Sequence, residues 1–410
     1  MFRFITTGWL YAVLATGPAV AAAPLEADGT TPVALSAIVA NILSENPSIA
    51  SAQARLRAAQ ARAEGAGLWR YNPEIEYERE NTDVRTETVG VSQTLEWFSK
   101  PGARGRAADS RTESAALELA SIRQRVIAEV LSGFALVDQR REMVQLASKR
   151  TQSMTRFVEL SERLLREGDI SPSEAQAARV AATQAVMEEQ IAVTELSSAE
   201  QDLAELVGTA PLAWPSFEKV LPEPLNVDEV DVDRLPSVLA ARYSRDAAER
   251  DVTVAQWDRV PDPSIGLRWG DEGGADLFGF RVSIPIPVLN SGRAEVAASR
   301  ADAVSAAAEL QGAQRAATAL LRETARRYEA LRSSQILWQT GGENALAQQT
   351  DLLERRLSGG DIGAIEYLIQ LQQLYDAQNS SIELQGQAWT AWFQLLEAAG
   401  VVEKWIGTEQ

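Results

Sequence analysis

Two hydrophobic periods alternate along this chain, and each occurs in both halves. In "TVGVSQTLEW" the residues Val89, Val91, Leu95 and Trp97 share one face of an extended chain, with Gly90, Ser92, Thr94 and Glu96 on the other. "SIGLRW" sets Ile265, Leu267 and Trp269 against Ser264, Gly266 and Arg268, and "FGFRVSIPI" sets Phe278, Phe280, Val282, Ile284 and Ile286 against Gly279, Arg281, Ser283 and Pro285. A weaker stretch alternates Ile75 and Tyr77 with Glu74, Glu76, Glu78 and Glu80. These patterns predict strands at about 73–80, 86–97, 263–270 and 277–287. Elsewhere apolar residues recur at spacings of three and four, as in Ile127, Leu131, Phe134 and Val137, then Met154, Phe157, Leu160 and Leu164. That spacing predicts helices. The two longest run from about Pro101 to Glu167 and from about Asn290 to Ser358, each on the order of 100 Å at 1.5 Å per residue. Shorter helical stretches, about Val33 to Gly67 and about Pro236 to Asp258, precede the two strand pairs.

The halves are copies. "NPEI" at Asn72–Ile75 answers "DPSI" at Asp262–Ile265, and Val91-Ser92 answers Val282-Ser283. "GDI" at Gly168 answers "GDI" at Gly360, and "LAELVG" ending at Gly208 answers "LLEAAG" ending at Gly400. The offset creeps only from 190 to 192 along these pairs, as a tandem duplication with small insertions would give. The expected organisation is a first repeat over 23–208, a Pro-rich acidic linker over 209–235, a second repeat over 236–400 and a tail over 401–410. Residues 1–22 read as a secretory signal peptide, with Arg3 ahead of an apolar run and small residues at Ala19–Ala23. Cleavage is expected after Ala21 or Ala22, and no Cys stands there for a lipid anchor.

Composition then removes function classes. The chain has no His and no Cys, so thiolate chemistry, zinc–sulfur sites and imidazole acid–base catalysis are excluded. No enzyme activity, cofactor or metal site is expected. A formal net charge of −18 argues against a nucleic-acid partner, which needs a concentrated basic face. Strands of 9–11 residues with period two fit a transmembrane β-strand and equally a half-buried soluble sheet. Trp69, Tyr71, Trp97, Phe98 and Trp257 fall at or just beyond the helix-side strand ends, where aromatic residues would sit at a membrane interface. Four strands cannot close a barrel, and an open edge cannot lie in lipid. Membrane strands would therefore have to be pooled among several chains. The competing class is a soluble periplasmic coiled-coil scaffold or adaptor.

The signal peptide, the duplicated helix–strand–strand–helix–turn–helix unit and "SIPIPVLNSGRAEVAASRA" together resemble the outer membrane efflux factor family, the TolC-like proteins. "SQTLEWFSKPGARGRAADS" is similar to the branch serving cobalt–zinc–cadmium efflux. The resemblance covers essentially the whole mature chain. It implies a mainly α fold with a small membrane β-barrel portion: a homotrimer pooling four strands per chain into a 12-stranded outer-membrane barrel above a periplasmic helical tunnel. It also implies a periplasmic adaptor (membrane fusion protein) and an inner-membrane proton-driven pump as partners, with divalent heavy-metal cations as cargo. Drugs or other small organic molecules are the alternative cargo.

On that reading Val89, Val91, Leu95, Ile265, Leu267, Phe278, Phe280, Val282 and Ile284 face lipid, and Trp69, Trp97 and Trp257 mark the interface. The repeated turns form the periplasmic tip. There Gly168 and Gly360 would let the chain leave its helix, Asp169 and Asp361 would cap the outgoing helices, and Glu174 and Glu366 stand either as an acidic gate or as helix-start residues. Family members usually carry aspartate where this chain has those glutamates. Lys100, Arg104 and Arg106 are read either as headgroup contacts or as solvated charges.

Overall fold

The computed structural model describes residues 33–97, 99–208, 216–217, 220–359 and 361–407, so the expected signal peptide, Phe98 and Gly360 lie outside the described residues. In chain order these form α1 (Val33–Glu45), α2 (Pro47–Ala66), β1 (Glu74–Asn81), β2 (Arg85–Thr94), α3 (Ser99–Glu167), α4 (Pro172–Val207), α5 (Pro236–Asp258), β3 (Ser264–Glu272), β4 (Ala275–Ser283), α6 (Arg293–Leu337), α7 (Glu343–Ser358), α8 (Ala364–Ala398) and α9 (Val402–Trp405). None of the helices among the described residues is long and apolar enough to cross a membrane.

The elements stand in four columns. The strands form one antiparallel sheet in the order β1-β2-β3-β4. Below it α2 packs on α3, α3 on α5 and α5 on α6. Farther down, α4 packs on α3, α3 on α8, and α8 on α6 and α7. The order across the chain is thus α2 or α4, then α3, then α5 or α8, then α6 or α7, matching the strand order above it. The first repeat supplies one outer edge of both sheet and helical wall, and the second repeat supplies the other.

Ala at the helix contacts permits this close stacking: Ala103, Ala107, Ala108, Ala178 and Ala185 are all buried. The main core lies midway down, where Phe134, Tyr328, Trp392 and Phe393 are fully or almost fully buried. Tyr328 and Trp392 meet with ring centroids 4.9 Å apart, and the Tyr328 hydroxyl donates to the Pro222 carbonyl at 2.5 Å. The described residues of the stretch between the repeats, 216–217 and 220–235, form a strap along the helices. Its Leu221 is buried, Leu225, Val227, Val230 and Val232 pack on the same core, and the Phe217 amide donates to Asp138 at 2.8 Å. A second core near the tip joins four helices through Phe157, Ala178, Leu353, Ile362 and Tyr367.

Several boundaries differ from the sequence expectation, each for a local reason. The first helical stretch is broken at Asn46, whose side chain accepts from the Ser48 and Ile49 amides at 2.9 and 3.3 Å and starts a new helix with Pro47 at its head. β2 ends at Thr94 rather than 97, and β4 at Ser283 rather than 287. Leu95 and Ile284 therefore lie just past the paired strands. Beyond Ser283 come Pro285 and Pro287, which have no amide to donate to β3. The long second-repeat helix is also not uniform. A π turn at Trp338–Gly342 interrupts it, while α3 runs 69 residues without one. The repeat offset rises from 191 at the strands to 192 at the turns, and a π turn is how a helix absorbs one extra residue.

Candidate functional site

The sheet sorts its side chains onto two unlike faces. Residues opposite one another in an antiparallel pair share a face. The row Ile75, Val91, Leu267, Phe280 and the row Tyr77, Val89, Trp269, Phe278 therefore line one side, joined by Ile265 and Val282. The other side carries Glu74, Glu76, Glu78 and Glu80 with Thr88, Gly90, Ser92, Gly266, Arg268, Gly279 and Arg281. Gln93 on the first face and Leu277 on the second are the exceptions. The apolar face is open: Phe278 is 75% exposed, Phe280 66% and Ile75 80%. An apolar patch of this extent on a folded chain marks contact with lipid or another chain. Toward the hairpin tips the same face turns charged, with Arg79 and Arg85 at 3.3 and 2.7 Å from Glu87. The β3–β4 hairpin needs only Gly273 and Gly274, both at positive φ, so the residues left between the expected strands, 271–276, shrink to a two-residue turn. The outer edges of β1 and β4 have no strand partner among the described residues.

Where sheet meets helices, Lys100 and Arg104 are neither solvated nor placed at an open surface, whereas Arg106 stays exposed. Arg104 holds Glu96 in a fork, 2.7 Å to one carboxylate oxygen and 2.9 Å to the other. The same guanidinium donates to the carbonyls of Leu68 and Ala66 at 3.0 and 3.3 Å. Lys100 is buried, 2.8 Å from Asp262, and donates to the Val260 carbonyl at 2.6 Å. These bonds tie β2 and the start of α3 to the ends of α2 and α5. The hydrogen bond from Arg104, seconded by the Arg70 amide, holds the Glu96 carboxyl below the usual carboxylate range against the opposing effect of burial. Trp97 joins the same latch, its indole N–H donating to the Pro261 carbonyl at 2.9 Å. Trp69 and Trp97 are exposed at this level, and Trp257 is half-buried one residue before the end of α5. Sequence reading missed the latch; its one signal was an acidic residue closing the polar face of β2 just ahead of a basic cluster.

At the far end, the repeated turns share a backbone hydrogen bond and differ in their caps. Gly168 sits at φ 87, its amide donating to the Leu165 carbonyl at 3.2 Å and the Asp169 amide to the Leu164 carbonyl at 2.9 Å. This is the helix ending that needs a left-handed residue. In the second turn the Asp361 amide likewise donates to the Arg356 carbonyl at 2.9 Å. Ile362 is buried in the tip core and Ile170 half-buried, which explains why Ile follows Asp in both repeats.

Neither aspartate caps the next helix. Ser171 caps α4, accepting from the Glu174 amide at 3.3 Å while Glu174 accepts from the Ser171 amide at 2.8 Å. This reciprocal box holds the Glu174 carboxyl below its ordinary value. At α8 the cap position is Gly363, with no side-chain cap bond. Glu366 lies 3.5 Å from Arg356 and accepts from Gln370 at 3.0 Å. Asp169 and Asp361 stay exposed at the extreme tip. Ser171→Ala is expected to cost about 1 kcal/mol at the head of α4, read as faster amide exchange at Glu174 and Ala175 with the second turn unchanged.

The sheet is apolar on one open face and polar on the other, has no strand partner at either edge among the described residues, and stands on a duplicated wall of long helices. The profile described as outer membrane efflux protein matches residues 38–209 and 232–401, one stretch for each repeat. The chain belongs to that family. Over 243 residues it is 29% identical to the cobalt-zinc-cadmium resistance protein CzcC of Cupriavidus metallidurans, covering 56% of this chain and 58% of that relative. The match thus spans little more than half of CzcC. Among solved structures, the outer membrane protein VceC from Vibrio cholerae superposes with a TM-score of 0.74 at 21% identity, covering 90% of this chain and 96% of that one. The open-state MtrE outer membrane channel of Neisseria gonorrhoeae does so with 0.75 at 16% identity, covering 89% and 88%. These likenesses carry the TolC-like fold.

Proposed function

We propose that this chain is the outer-membrane exit duct of a tripartite efflux system, a homotrimer that passes cargo outward from a periplasmic adaptor and an inner-membrane proton-driven pump. The observation that carries the reading is the two-faced sheet. Its apolar side, with Val89, Val91, Ile265, Leu267, Phe278, Phe280 and Val282, faces lipid; its glutamates and arginines face a lumen. Leu95 and Ile284 extend the apolar side just past the paired strands, and Trp69, Trp97 and Trp257 stand at the periplasmic-side interface. β3 and β4 are nine residues each, or about 30 Å at 3.3 Å per residue, enough to cross the hydrocarbon at a tilt. Their open edges require other copies, and three copies pool twelve strands.

Divalent heavy-metal cations are the proposed cargo, supported by the likeness to CzcC. A duct needs no tight ligand set, since strong binding would slow release; cargo choice rests with the pump. At the tip, Asp169, Asp361 and Glu366 are exposed carboxylates, repeated three times around the ring. They favour cations by local potential. Glu174 adds its charge there while serving the start of α4.

Single-channel conductance of the detergent-extracted protein in a planar bilayer tests both claims. Discrete steps are expected. The cation preference should fall in Asp169→Asn/Asp361→Asn/Glu366→Gln, most clearly at low salt, where the screening length exceeds about 10 Å. Steps with unchanged preference would keep the duct and remove the acidic ring. An extracted protein that stays monomeric and never enters the bilayer would remove the duct.

A further inference from the structure

The register inside the chain dictates how two copies must meet, given the trimeric duct proposed above. Following directly paired residues across the sheet leads from Glu74 to Ser92, to Gly266 and to Arg281. A barrel closes only if such a row returns to its starting strand displaced along it. The tangent of the strand tilt equals that displacement times the rise per residue, divided by strand number times strand spacing. With twelve strands, a spacing near 4.8 Å and a tilt of 35–45°, the total displacement is about 12–17 residues. Three identical seams share it, so each shifts by about four to six.

The direction of that shift follows from where unpaired chain is available. Shifted one way, the free edge of β1 meets only the turn end of β4, and most of β1 is left without a partner. Shifted the other way, all of β1 is covered, but by residues of β4 that lie beyond Ser283. That segment exists and is unoccupied: Ile284 is 59% exposed and Ile286 79%, alternating in the same phase as Phe278, Phe280 and Val282.

The prolines agree. The two residues flanking a two-residue hairpin turn form a doubly hydrogen-bonded pair. Ala275 and every second residue after it therefore direct their amides to β3. Pro285 and Pro287 fall in that set, so they delete only amides on the β3 side. Ile284 and Ile286 fall in the other set, and their amides point to the free edge. The run stops where the Val288 amide turns back to the Ile286 carbonyl at 2.9 Å.

We propose that β4 continues through Ile284–Ile286 along β1 of the next copy, displaced four to six residues from the rows within the chain, so that Arg281 stands against the next copy's Glu78 or Glu80 on the lumen side. Charge complements this seam. β1 offers four carboxylates on its lumen face, and Arg281 is the one cation on that face of β4. On the lipid side Ile284 or Ile286 meets the next copy's Ile75, joining two exposed apolar edges into one band.

The chain has no cysteine, so introduced pairs report the register directly. Directly opposed strand residues lie about 4.5–5.5 Å apart, within reach of a disulfide. Ile75→Cys would be combined in turn with Phe280→Cys, Val282→Cys, Ile284→Cys and Ile286→Cys in the full-length protein, oxidised in membranes and run on non-reducing gels. Covalent trimers are expected with Ile284→Cys for a shift of four or Ile286→Cys for a shift of six. Arg281→Glu should weaken the trimer, with rescue by Glu78→Arg in the first case and Glu80→Arg in the second. A linkage only through Phe280→Cys, the unshifted row, or through none of the four, in a protein that light scattering shows to be trimeric, overturns the seam and leaves the duct standing. A monomer by light scattering overturns both.

Discussion

Arg104→Met is expected to destabilise the protein by about 3–5 kcal/mol, because it leaves a buried carboxylate without its partner. The Glu96 side chain is 1% exposed and that of Arg104 14%, so solvent screens the pair little. The guanidinium also carries the Leu68 and Ala66 carbonyls, which would lose their donor together. Glu96→Gln should cost less, since an amide can still accept from Arg104 and the Arg70 amide. The double replacement Glu96→Leu/Arg104→Met should recover much of the loss, because removing both charges removes the desolvation that each imposed. Denaturant midpoints in detergent, read from near-ultraviolet circular dichroism, would separate the three. The pH dependence has a defined sign. The folded Glu96 carboxyl is depressed below 4.5, so its contribution is complete above that unfolded value and disappears as pH falls through the lower folded one. Wild-type stability should therefore drop in acid by an increment that Arg104→Met has already lost. Equal midpoints for wild type and Arg104→Met at neutral pH would remove the latch from the account.

The parts legible in the sequence were those fixed by period and repetition. α5 begins and ends where its apolar spacing placed it, at Pro236 and Asp258, because proline can head a helix and "PDPS" cannot continue one. The strand faces followed from alternation alone, even in β1, where four glutamates made the pattern look poor; in a sheet with one polar face those glutamates are the regular half of the pattern. Other features depended on partners far along the chain. Lys100 and Arg104 look like surface charges until Asp262 and Glu96 are brought beside them. Asp169 looked like a helix cap because it follows the helix-ending glycine, but two more residues are needed to turn the corner, and Ser171 holds the position. The second turn has glycine there, so identical "GDI" motifs carry different caps. The π turn left its trace in the sequence, a one-residue creep of the repeat offset, but an offset does not say where along 45 and 16 residues of helix the extra residue lies.

Leu267→Arg should abolish stable membrane insertion while leaving the helical wall intact. Leu267 sits in the middle row of the apolar face, between Val91 and Phe280, and among the described residues no helix packs over it. A charge near the bilayer midplane on the lipid face of a barrel costs about 2–4 kcal/mol, hence about 6–12 kcal/mol for three copies of the same chain. The variant should therefore be lost from the outer-membrane fraction after a high-salt wash. Ser92→Arg supplies the contrast. Ser92 neighbours Val91 in β2 but points to the opposite face, beside Glu74 and Gly266. An arginine there meets lumen water and the glutamates of β1, so insertion should persist and only the cation preference should fall. A soluble sheet whose apolar face packs on another protein would also be harmed by Leu267→Arg, but its wild-type form would wash off the membrane with salt. The membrane reading thus requires two results together: wild type and Ser92→Arg retained through the wash, and Leu267→Arg lost. Retention of Leu267→Arg at the wild-type level, with normal conductance, would mean that this face never meets lipid.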